Sequence, residues 1–118
     1  MSQTKGILYH LGGRLRKDKG WSEKESVNPP DKFCEGEIEN ILPNGFVTYT
    51  HRNVSNYVGY YTYGLREGAG TWTLYDKINF VGIWKEGKRW NGTSYDEEGN
   101  EVGQYVNGKL ENHDNLLW

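Results

Sequence analysis

Cysteine occurs once, at Cys34, in a chain of 118 residues. A single cysteine excludes an internal disulfide framework and a cysteine-cluster zinc site. Alanine also occurs once, at Ala69, and methionine only at Met1. Alanine is the strongest helix former, so its near absence points away from helices. No apolar run approaches the roughly 18 residues of a membrane span, and no basic-then-apolar leader opens the sequence. His10, His51 and His113 stand singly, without metal-ligand spacing.

What is present is glycine and aromatic rings: 16 glycines, nine tyrosines, five tryptophans and three phenylalanines. That mixture favours strands and tight turns, and the length suits one domain with a real core. The net charge of −2 hides a split. Residues 1–32 carry seven Lys/Arg against four Asp/Glu, whereas residues 33–118 carry seven against twelve. An acidic main body is a poor match for nucleic acid or anionic headgroups. Arg14, Arg16, Lys17, Lys19 and Lys24 are the only basic cluster, diluted by Asp18, Glu23 and Glu25. The composition predicts a soluble, intracellular, cytoplasmic all-β domain.

The segments CEGEI from Cys34, YVGYY from Tyr57, FVGIW from Phe80 and EVGQY from Glu101 line up on Gly36, Gly59, Gly82 and Gly103. The first three of those glycines are evenly spaced, and the last interval is two shorter. Two positions after each glycine stands Ile38, Tyr61, Trp84 or Tyr105. Three further on, Gly64, Gly87 and Gly108 close the segment, with Ile41 the exception. The following halves match too: GFVTYT from Gly45, GAGTWT from Gly68 and, one residue shorter, WNGTSY from Trp90. A register kept over three copies is an internal repeat.

Each copy predicts a β-hairpin: a strand over 57–63, a turn over 64–68 and a return from Gly70 to Tyr75. Residues 76–79 and 96–100 then link successive hairpins. Alternation puts Tyr57, Gly59 and Tyr61 on one face, matched by Phe80, Gly82 and Trp84 on the next strand. Glycine in mid-strand makes sense where a ring must lie against the backbone. Stacked hairpins would form a ladder of rings over glycines, with Trp72, Trp90 and Tyr95 mostly in the core. One hairpin cannot hold such a core, but three or four in series can.

The pattern Tyr-x-Gly-x-Tyr/Trp-x-x-Gly, a turn, then Gly-x-Gly-Thr resembles the MORN (membrane occupation and recognition nexus) repeat. Residues 57–73 and 80–95 match best. Residues 34–50 depart at Cys34, Ile41 and Val47, and 101–110 look like a truncated last copy. The resemblance implies tandem β-hairpin repeats in an extended, twisted, single-layer antiparallel sheet with a groove. It implies hairpin units of about 33–56, 57–79, 80–100 and a partial 101–110. It also implies an interaction or scaffolding module, often self-associating, with phospholipid binding proposed for some members.

Outside the repeats, residues 5–11 predict a strand covering the first hairpin's open edge. Leu11, Gly13 and Leu15 fall one repeat period before Cys34, Gly36 and Ile38. Residues 16–32 suit a charged loop around Trp21, so 1–32 form a capping strand and loop. In the tail, 111–118, the final Leu116, Leu117 and Trp118 are costly to leave in water. They either cap the last repeat, the reading preferred because terminal repeats need capping, or dock on a second chain.

Little here reads as catalysis. Cys34 with a histidine could pair a nucleophile and a base, but it occupies a position held elsewhere by Tyr or Phe and reads as core. Residues 96–100 lack the ligand order of a calcium loop and suit a turn. Asn53-Val54-Ser55 and Asn91-Gly92-Thr93 match a glycosylation pattern that carries no weight without a secretory signal. The glycines of 64–70 lack the Lys-Ser/Thr of a phosphate loop. A dozen residues from Glu35 resemble the opening of small OB-fold RNA binders, but without their basic surface.

The expectation is therefore a non-catalytic module, with neither cofactor, metal nor nucleic acid, that binds another protein or itself as a homodimer. A peripheral phospholipid binder using Arg14, Arg16, Lys17 and Lys19 is the first alternative, and an aromatic groove for peptide or sugar the second. Tyr60 and Trp90 are the candidate partner-binding rings on the sheet face, beside the Leu116-Leu117-Trp118 tail.

Overall fold

A computed structural model describes residues 4–10, 21–22 and 32–112. These form one antiparallel sheet of ten strands: β1 (Thr4–His10), β2 (Trp21–Ser22), β3 (Lys32–Glu39), β4 (Leu42–His51), β5 (Ser55–Thr62), β6 (Leu65–Leu74), β7 (Lys77–Lys85), β8 (Lys88–Tyr95), β9 (Glu101–Val106) and β10 (Lys109–Asn112). Strands β3 to β10 follow one another as a meander, with β1 beside β3 and β2 beyond β1. Among the described residues there is no helix, so none is long and apolar enough to cross a membrane. The expected all-β sheet of tandem hairpins is what forms. The strand expected near residues 5–11 is β1, and it pairs with β3 through Gly6 opposite Gly36.

The core explains the glycines. Their register runs Gly36, Val47, Gly59, Gly70, Gly82, Gly92 across six successive strands. Tyr57 lies over this strip, fully buried, with its ring against Gly70. A Cβ on Gly92 would stand 2.7 Å from Phe80 Cζ. Rings lying on bare backbone let one layer bury Leu8, Cys34, Ile38, Val47, Tyr57, Tyr61, Phe80 and Trp84 together. Tyr61, Tyr57, Trp84, Phe80 and Tyr105 meet edge-to-face in sequence, with centroids 5.3–5.5 Å apart. Each such pair contributes about 0.5–1.5 kcal/mol beyond burial. The polar tips are satisfied: Tyr57 Oη donates to the Tyr60 carbonyl (3.0 Å) and Trp84 Nε1 to that of Gly70 (3.3 Å).

Several boundaries differ from the sequence expectation. The turn is not 64–68 but the two residues Tyr63-Gly64, and the return strand starts at Leu65, not Gly70. Both turn residues have positive φ (41° and 91°), as in a type I′ hairpin. The residues taken for the turn instead form a β-bulge, Arg66 pairing with Tyr61 and Gly70 with Gly59. The link 76–79 contracts to Tyr75-Asp76, with β7 starting at Lys77. Trp72, Trp90 and Tyr95 are only half-buried. Gly103 does not continue the glycine strip: it pairs with Ser94, and Tyr105, a full repeat period after Gly82, faces Gly92. Within the segment expected as a loop, Trp21-Ser22 pair with Tyr9 and His10.

Three hairpin turns hook onto the bulge of the hairpin before them. Gly64, Gly87 and Gly108 donate their N–H groups to the carbonyls of Pro43, Arg66 and Trp90, each at 2.9 Å. The preceding N–H groups, of Tyr63, Glu86 and Asn107, donate to side-chain oxygens of Asn44, Glu67 and Asn91 (2.8–2.9 Å). The closing glycines therefore lock repeat to repeat as well as permitting the turn.

Candidate functional site

The two faces of the sheet differ in what they leave open. On the ring face, guanidinium groups cover the aromatic row. Arg66 lies 4.8 Å over Tyr57 and 5.0 Å over Trp84, and Arg89 4.8 Å over Trp72 and 5.5 Å over Tyr105. Cation–π contact and partial desolvation hold both cations in place. Arg89 Nη1 also donates to Tyr105 Oη (3.2 Å). The ring face is thus filled by its own rings and arginines. Sequence reasoning missed these arginines; their separation by one repeat period was the signal.

The opposite face carries exposed apolar and aromatic side chains among threonines and is uncovered by any described residue. Its central row, in register across five strands, is Thr48, Val58, Thr71, Val81, Thr93. Beside it Tyr60 is 48% exposed and meets the exposed Phe46 edge-to-face at 5.3 Å. Ile83 and Val81 are also exposed. Tyr60 is therefore placed on an open face, as a partner-binding ring must be. Trp90 is not beside it: it lies three strands away, half-buried, under Lys85 Nζ (4.5 Å) and against Gly108. Its role there is to pack the last turn.

The other residues singled out sort as follows. Cys34 is buried in the core, and burial pushes its thiol up to about 12, so at neutral pH it is a protonated core residue. Asp96 spends one carboxylate oxygen on the N–H groups of Glu98 and Asn100, both 2.9 Å. Those bonds, Asn100 first, hold its pKa below the usual range and account for the 96–100 loop as a turn. Leu116, Leu117, Trp118 and Arg14, Arg16, Lys17, Lys19 lie outside the described residues, as does the 11–15 segment. No group of three or more His, Cys, Asp or Glu able to hold a metal occurs among the described residues.

At the rim opposite the hairpin turns, two cavities of about 330 Å³ flank Tyr75. One is bounded by the 50–56 segment and Thr73, the other by Ile78, Asn79 and the start of the 96–100 loop.

No protein-family model matches this chain, and no curated protein is significantly similar to it.

Proposed function

We propose that this chain is a non-catalytic, MORN-like scaffolding module that pairs with a second copy of itself through the open sheet face. The observation that supports this reading is the uncovered apolar stripe of Phe46, Val58, Tyr60, Val81 and Ile83, opposite a face that already holds the core. Exposed apolar patches of this kind mark interaction surfaces. A molecule measuring 52 × 30 × 21 Å has ample face for the ~1,000 Å² that a specific interface buries.

Charge placement favours a second copy over a foreign chain. On this face alternation puts Glu35 and Glu37 on β3, whereas Lys85 and Lys88 end β7 and start β8. A two-fold axis parallel to the strands, between β5 and β6, brings β3 of one copy onto β8 of the other. Lys88 then approaches the acidic β3, Ile83 meets Phe46 and Val81 meets Thr48, all twice, as an isologous interface requires.

The test is the solution mass by light scattering. A dimer is expected for the full chain and a monomer for Val81→Glu. Lys88→Glu weakens the dimer. A wild-type monomer at high micromolar concentration, or a Val81→Glu chain that stays dimeric, overturns the proposal.

A further inference from the structure

We infer that the rim around Tyr75, at the end of the open face, is a binding site for an uncharged, hydroxyl-rich ligand, an oligosaccharide of at least two sugar rings. Tyr75 is the most exposed large hydrophobic side chain described, at 66%. It also holds a backbone conformation unusual for an aromatic residue, as Tyr63 does. It opens the two-residue turn into β7 with φ 49°, where the next residue, Asp76, has φ 65°. Aromatic residues rarely adopt that conformation, which costs roughly 1–2 kcal/mol, and Asn, Asp or Gly relieve it. Neither neighbouring copy needs a ring here: the equivalent positions hold Arg52 and Glu97. With most of its surface in water, the ring adds little to the core.

The backbone beneath the ring is nonetheless anchored. The Tyr75 N–H donates to the Val54 carbonyl at 2.7 Å, and the Val54 N–H to that of His51 at 2.9 Å. The backbone that carries the ring is thereby fixed between two cavities, each about 330 Å³, at the lower end of the size of ligand sites.

The linings choose the ligand. The first cavity presents Thr50, Asn53, Ser55, Asn56 and Thr73, hydroxyls and amides that both donate and accept, with Asp76 at its edge. Its lining contains no Lys or Arg, and its one basic side chain, His51, is set against the carboxylate of Asp76, so the wall offers phosphate or carboxylate ligands no net positive charge. Val54 is its one aliphatic side chain, so it lacks the apolar pocket that anchors a peptide side chain. The second cavity adds apolar area from Leu74 and Ile78, and one lysine, Lys77, against Asp96 and Glu97. Asp96 is already committed to its own loop. A sugar ring has an apolar face for the tyrosine and a rim of hydroxyls for the polar wall, and a second ring continues past Tyr75 into the next cavity.

The experiment is an amide NMR titration of the full chain with cellotriose, chitotriose, maltotriose and laminaritriose. At least one is expected to shift amides of residues 50–56 and 73–79 in a saturable way. Tyr75→Asn removes the platform while suiting the turn better. It should weaken binding by about tenfold or more, with thermal stability equal or higher. Tyr60→Ala leaves the titration unchanged. No saturable shift with any of the four sugars overturns the inference. So does binding that survives in Tyr75→Asn, or shifts confined to the Val58–Val81 face. Thr50, Asn56 and Thr73 continue the open face one row beyond Thr48, Val58 and Thr71, so the titration is repeated on the Val81→Glu chain: a shift kept there supports the site whatever the light-scattering mass, and none in either chain overturns it.

Discussion

Tyr57 has no room to retreat. It is enclosed by Tyr61, Trp84 and Arg66, so a Cβ at Gly70 would strike a ring that cannot move aside. Gly70→Ala should therefore destabilise the chain by about 1–3 kcal/mol, as overpacking does, despite the usual gain from stiffening the unfolded chain. Urea unfolding reads this directly, and a stabilised variant would refute the ring-on-glycine account. The converse case is Ile41. It holds the place taken by Gly64, Gly87 and Gly108 in later copies, with φ 60° and a side chain nearly half-exposed. A β-branched residue is strained there, so Ile41→Gly should stabilise by about 1 kcal/mol, seen as a raised denaturation midpoint. The ring positions were legible from alternation alone, since burial follows side-chain parity. The strain at Tyr75 was not, because it arises from a two-residue turn whose length the sequence left open.

Among the elements, the bulge and the turn that hooks onto it form the joint between repeats. Asn44 Oδ1 receives the Tyr63 N–H and Nδ2 donates to Glu39 Oε1 (3.1 Å), beside the Pro43 carbonyl that takes the Gly64 N–H. Asn44→Ala should cost about 1 kcal/mol and speed hydrogen exchange at the Tyr63 amide. If exchange there is unchanged, the side chain is not what holds the turn. These joints explain where the sequence reading stopped short. Gly64 and Gly68 both suited a turn, and only pairing of Gly59 with Gly70 shows that one closes the hairpin while the other sits in a bulge. The recurrence of Arg66 and Arg89 was visible, yet charged residues on strands ordinarily face water, and stacking over rings depends on the neighbouring strand.

For the whole molecule, the repeat makes the sheet nearly one-dimensional, with each strand held by its neighbours. Deleting residues 57–79 removes one full period and joins Asn56 to Phe80. Val47 then faces Gly82 as it faced Gly59, and Phe80 replaces Tyr57. The shortened chain should fold cooperatively with a lower Tm by circular dichroism. Loss of the cooperative transition would mean that the copies are not interchangeable. The slipped register of Tyr105 shows where that interchangeability ends, since the last copy is shorter and fills its glycine position with a ring.

The most direct test of the open face as the working surface is a photo-crosslinker, benzoylphenylalanine, placed at Tyr60 in the full chain. Irradiation is predicted to give a covalent dimer from that position and none from the same probe at Lys109, on the terminal strand beyond the proposed interface. A Tyr60 probe that stays monomeric, or equal dimer yield from both positions, would contradict the account.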